Sequence, residues 1–204
     1  MSTHYNLRIS ISQKDLKQLH ASGTKIAIGK SNGTAPPNVV WQSFKPLSNN
    51  SISWNEEYGI YTSDTPIQNG ATIRKISDTG REVQEGELYT ADEHGSIVGP
   101  SSNGLQKAYH IQNNSKIQDL TVGLTQNAHV NGVQISANVV SAVSDSISSV
   151  AVLSHDTSVY IWLDSLANPN TIVSNIPVSV TKLSFPQGTS SLAVIYNSAT
   201  GKFS

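Results

Sequence analysis

The sequence contains no cysteine. That absence removes disulfides, thiolate metal ligands and thiol nucleophiles together, and it suits a reducing compartment. Charge is scarce as well: Asp, Glu, Lys and Arg make up 13% of the 204 residues, about half the usual share. With a net charge of −1 and a pI near 6.6, the chain has no global field to draw in nucleic acid or anionic lipid, so no nucleic-acid partner is expected. Nor does any apolar run approach the ~18–20 residues that a membrane-spanning helix needs. The opening Met1-Ser2-Thr3-His4-Tyr5 has neither a basic nor an apolar segment. No signal peptide is read there, and a cytoplasmic location, or release without a classical signal peptide, is expected.

Ser, Thr, Asn and Gln fill the space that charge leaves, beside 37% apolar residues. Disorder needs low hydrophobicity together with high net charge, which this chain lacks. Its length suffices to bury roughly 70% of the unfolded surface, so residues 1–204 are expected to form a single β-sandwich domain without metal or cofactor.

The dominant pattern is period-two alternation in short runs broken by Gly, Pro and Asn. Leu7, Ile9 and Ile11 alternate with polar residues, Ile26 and Ile28 share a face, and Tyr160 and Trp162 share a face opposite Ile161. Val133, Ile135, Ala137 and Val139 are expected to line one face, after a two-residue hairpin at Asn131-Gly132. Leu88–Thr90 and Ser96–Val98 read as a second hairpin, and residues 33–37 as a turn. One helix is expected over 13–20, with Ser12 as N-cap, Asp15 as its partner and Gly23 just beyond the end. These elements predict an all-β fold: a two-sheet, mostly antiparallel β-sandwich with one short helix near the N-terminus. No repeat of 20–50 residues points to a propeller.

Several fragments of catalytic chemistry are present without their context. Gly29-Lys30-Ser31 ends like a phosphate-binding loop, but Thr24 stands where the motif needs its first glycine. The six histidines lie in separate elements, and Asp92-Glu93-His94 and His155-Asp156 read as solvated turns, so no metal site is expected. Glu56 and Glu57 are neighbours that alternation sends to opposite faces if the segment is a strand, and a solvated edge or turn also accounts for them. Ser154-His155-Asp156 holds the residue types of a hydrolase triad, yet sequence adjacency cannot place the base between nucleophile and acid. No catalytic residue is assigned.

The aromatics are more informative. Trp41, Phe44, Trp54, Tyr58 and Tyr61 crowd together, and Tyr160 and Trp162 form a second group. They suit either a core or a platform on which a sugar ring stacks beside amide and carboxylate groups. On the second reading the carbohydrate-binding residues are Trp54, Asn55, Tyr58, Tyr160, Trp162 and Asp164. The function expected is a lectin-like, non-catalytic protein that binds a glycan or glycoconjugate, a property suited to defence. Two alternatives stay open. Residues 133–153 alternate as a membrane hairpin would over their first half, which would make a pore-forming or membrane-active protein. Eleven of the 13 basic residues and ten of the 14 acids precede residue 117. The nearly uncharged remainder favours a homo-oligomer, or a self-assembling structural, storage or inclusion protein.

Overall fold

The computed structural model of the chain describes residues 2–32, 35–80, 82–102, 104 and 106–204. Gly33 and Thr34, in the turn expected at 33–37, lie outside the described residues. The fold is all-β and sandwich-like, with several mostly antiparallel sheets and one helix, Gln13–Ala21. At the start of that helix Ser12 Oγ accepts from the Asp15 N–H at 3.1 Å, which satisfies one of the helix's orphan donors.

Alternation builds the first sheet. Strand His4–Ser10 turns Tyr5, Leu7 and Ile9 inward. It pairs antiparallel with Asn49–Asn55 and parallel with Ser191–Asn197. The sheet continues through the long strand Asp119–Val130 to Gly59–Ser63 and Lys75–Asp78. Val133–Val139 and Val143–Ser146 pair with different lengths of that long strand. A second sheet sets Lys25–Asn32 between His155–Asp164 and Gln42–Phe44, with Thr181–Leu183 on its edge. A third runs Val150–Leu153, Tyr109–Asn113, Leu88–Ala91, Ile97–Ser101. The inner faces of all three meet in one core, where Ile9, Ile28, Ile111, Val122 and Ile161 are buried.

The expected hairpin at Asn131-Gly132 is present, with both residues at positive φ, 50° and 83°, as a primed turn requires. The single face expected for Val133 to Val139 is not. Pairing slips between Gln126 and Ala128, and Ala137 has φ 51°. The extra residue reverses the side chains beyond it. Ile135 therefore packs on the main core while Val139 joins a separate cluster with Val39, Tyr61 and Ile172. That crossing brings Ser141 so close that a Cβ on Gly123 would stand 1.9 Å from the Ser141 carbonyl oxygen, and only glycine fits there.

His155-Asp156, expected as a turn, instead opens the strand His155–Asp164, with a pairing irregularity before Val159. Beyond it alternation holds. Val159 and Ile161 face the main core, whereas Tyr160 and Trp162 face outward and are covered by Ala167, Val173, Ile176 and Val180. Among the described residues no helix is long and apolar enough to cross a membrane.

Candidate functional site

The strand Asn49–Asn55 ends in a bend that divides its polar residues between outside and inside. Outside, two hollows of about 360 and 330 Å³ adjoin, sharing Glu57 and Asn127 in their linings. The larger is completed by Tyr58, Asp78, Gln126 and Ser136, the smaller by His4, Trp54, Asn55 and Gln134. Their frame is hydrogen-bonded. His4 Nδ1 lies 2.8 Å from Asn55 Oδ1, Gln126 Nε2 donates to the Asn55 carbonyl at 2.6 Å, and Asn127 Oδ1 accepts from the Ala137 N–H at 2.8 Å. That last bond uses the bulge described above, so the bulge fixes one wall of the site.

Inside the same bend is a buried cation. Lys30 continues the inward row of Ile26 and Ile28 on its strand, and it is 1% exposed. Its Nζ has no hydrogen-bond partner. Instead it lies 4.6 Å from the ring centroid of Trp54, 5.0 Å from Trp41 and 5.6 Å from Tyr58. The negative faces of three rings thus stand where water would be, an attraction worth about 2 kcal/mol or more per desolvated pair. Burial nonetheless lowers the Lys30 pKa to about 8, against the opposing pull of Glu56 and Asp156.

Glu56 turns inward from the bend. Its Oε1 accepts a short hydrogen bond from the Tyr58 hydroxyl and lies 3.1 Å from His155 Nδ1. Burial pushes this carboxyl up, but His155, the Lys30 charge and the Tyr58 hydroxyl outweigh it and hold the pKa below its ordinary value. Burial, then the Glu56 charge and hydrogen bond, drive Tyr58 well above the usual tyrosine range. The His155 ring lies 4.5 Å from the Tyr58 ring, tilted by 30°, and Tyr109 lies 5.8 Å from both rings. Lys30 lines neither hollow. The network therefore braces the rings in the hollow walls from behind. Glu56 and Glu57 serve different places, the network and the hollows, but they lie in the bend beyond the strand, where alternation does not apply.

No family model, curated protein or solved structure matches this chain.

Of the six residues expected to bind carbohydrate, three come together. Trp54 and Asn55 line the smaller hollow and Tyr58 the larger. Tyr160, Trp162 and Asp164 lie on the second sheet and line neither. Tyr160 and Trp162 are buried in their own apolar cluster, and Asp164 caps the turn that follows by accepting from the Leu166 N–H at 2.8 Å. Trp54 and Tyr58 are 2% and 1% exposed, so neither offers an open stacking face. Sequence reasoning did not single out Gln126 or Asn127, met Glu57 only as one of two neighbouring acids, and met Lys30 only inside an incomplete phosphate-loop string. Only Lys30 carried a sequence signal, its place in the inward row of Ile26 and Ile28.

Proposed function

We propose that the protein binds carbohydrate without transforming it, and that the ligand lies across the two hollows that meet at Glu57 and Asn127. The observation that carries this reading is a pair of orphaned polar atoms. Trp54, which lines the smaller hollow, and Gln126, which lines the larger, each carry a buried side-chain atom with no hydrogen-bond partner, Trp54 Nε1 and Gln126 Oε1. Native proteins leave few such groups, each costing about 1–3 kcal/mol. One is a donor and the other an acceptor, and a ligand hydroxyl can answer either when a small side-chain shift opens it to the hollow. The amide, carboxylate and imidazole groups around them are the partners that a polyhydroxylated ligand needs. With the rings buried, affinity comes from hydrogen bonds more than from stacking.

A second reading rests on residues 133–153. Val133, Ile147, Val150 and Val152 are all exposed there, and Val150–Leu153 is an edge strand, a combination that suits membrane contact or self-association.

A glycan array followed by calorimetric titration tests the first reading, with vesicle dye release as its companion. Asn127→Ala and Glu57→Gln change residues at the solvent side of the fold and are expected to weaken glycan binding at least about tenfold, since each removes a hydrogen bond to the ligand. Asp164→Ala is expected to leave binding unchanged. Dye release that needs no sugar, with an array that stays silent, would replace the first reading by the second.

A further inference from the structure

The second sheet carries a different kind of cavity. A groove of about 580 Å³ opens beside the outward face of Tyr160, between the chain at Pro36–Asn38 and the segment from Ile172 to Val180. Ten of its thirteen lining residues are apolar or aromatic and none is charged. Its volume falls within the ~300–1,000 Å³ range of small-molecule sites.

The groove is built rather than a gap between loose loops. Pro36, Pro37 and Pro177 fix the backbone in its walls. The Val173 N–H donates to the Asn38 carbonyl at 2.9 Å, Val180 N–H to the Pro177 carbonyl at 2.9 Å, and Ser174 N–H to Asn69 Oδ1 at 2.9 Å. Val173, Ile176 and Val180 are also held against Tyr160 and Trp162 by the apolar cluster. Both walls are therefore anchored without a ligand, which is the preorganisation that tight small-molecule binding needs.

We propose that this groove binds a neutral, hydrocarbon-rich small molecule of drug size, with its few polar groups met by Tyr160, Ser174 and Asn175. Charge selects the class. A charged ligand would enter an apolar site with no counter-charge in its lining, and that desolvation is costly. A peptide segment would bring backbone donors and acceptors to a wall with few side-chain partners. This site is separate from the carbohydrate hollows, with which it shares no lining residue.

The test titrates the protein with Nile red, an uncharged dye whose emission shifts in apolar surroundings, alongside sedimentation at the same concentrations. Saturable binding of one dye per chain to a monomer is expected. Val178→Asp changes a residue that is 97% exposed on the groove rim, so folding is expected to survive, and dye affinity to fall at least about fivefold. Ile176→Trp, which fills the groove with apolar bulk instead of adding charge, is expected to reduce it at least as much. Asn127→Ala is expected to change nothing, so a failed carbohydrate reading leaves this result intact. Absence of saturable binding, affinity in both groove variants equal to that of the unmodified protein with unchanged circular dichroism, or binding that vanishes as copies associate and fill one another's grooves would each overturn the proposal.

Discussion

Among the described residues two lysines stand over aromatic rings, on the strands that flank His155–Asp164 on either side, and they lead different lives. Lys30 is buried among Trp41, Trp54 and Tyr58, whereas Lys182 is exposed with its Nζ 5.6 Å from the Tyr160 ring. The contact type is the same; the solvent is not. Lys30 has lost its water, so its rings and the charges of Glu56 and Asp156 stand in for it, and burial depresses its pKa. Lys182 keeps water, and its ring contact is an addition. The lesson is that an aromatic cluster's role follows from what fills its middle. The Trp41–Trp54–Tyr58 group encloses a cation and backs a polar surface, while the Tyr160–Trp162 group packs on apolar side chains, carries a cation only at its exposed rim, and borders a groove with no charged lining residue.

The largest expected effect is on stability at the two tryptophans. Trp54→Ala and Trp162→Ala each open a cavity in a buried layer, at about 3–5 kcal/mol. What separates them is coupling to Lys30. Replacing a buried charge by an isosteric apolar chain is often neutral or stabilising by about 1–4 kcal/mol. In a double-mutant cycle by denaturant unfolding, Lys30→Met is expected to couple to Trp54→Ala by about 1–2 kcal/mol, and to Trp162→Ala by less than about 0.5 kcal/mol. Equal coupling to both would erase the distinction drawn between the clusters.

The pH profile sharpens it next. With a folded pKa of about 8 and an unfolded value of 10.5, Lys30 is protonated in both states below pH 8, where the cost of the buried charge is fully present. Between pH 8 and 10.5 the unfolded chain holds a proton that the folded chain has released, so stability rises with pH. Full traverse of that window is worth about 3 kcal/mol. Tyr58, Tyr61 and Tyr109 work the other way: burial raises all three, so their unfolded forms ionise near pH 10 while the folded forms do not. Stability is therefore expected to peak close to pH 10. In Lys30→Met the rise from pH 8 is expected to vanish, whereas Lys182→Met should keep it; thermal melts across pH 7–11 read both.

How much of this was legible follows from the same strands. Alternation placed Tyr160 and Trp162 opposite Ile161, and the turn chemistry of Asn131-Gly132 placed its hairpin. Both are local signals, and both are present in the fold. Alternation also put Lys30 in the row of Ile26 and Ile28, where its burial could be read but not its cage, because the rings arrive from other strands. Period two assigns a residue's face but not its partner strand. Glu56 meeting His155, or Glu57 meeting Asn127 in a shared wall, depends on pairing between distant segments. The bulge that carries Val139 away from Ile135 inserts a residue without marking the hydrophobic pattern, and so it escapes a reading that assumes an unbroken strand.

The smallest effect belongs to Lys182. A cation over a ring at an exposed site is worth about 0.5–1 kcal/mol, and the long side chain loses rotamer freedom when it is held there, which offsets part of that gain. Lys182→Ala is therefore expected to change the unfolding free energy by no more than about 0.5 kcal/mol. Lys182 sits on the short edge strand Thr181–Leu183, opposite Tyr160 in the pairing register, so its removal leaves the main core untouched. The informative comparison is Tyr160→Phe with and without Lys182→Ala. The phenyl ring keeps the face that the ammonium sits over, so Lys182 is expected to contribute the same small amount in either background. A loss above about 1.5 kcal/mol on removing Lys182 would mean that the side chain is held far more tightly than an exposed contact allows. The two lysines would then differ in degree rather than in kind.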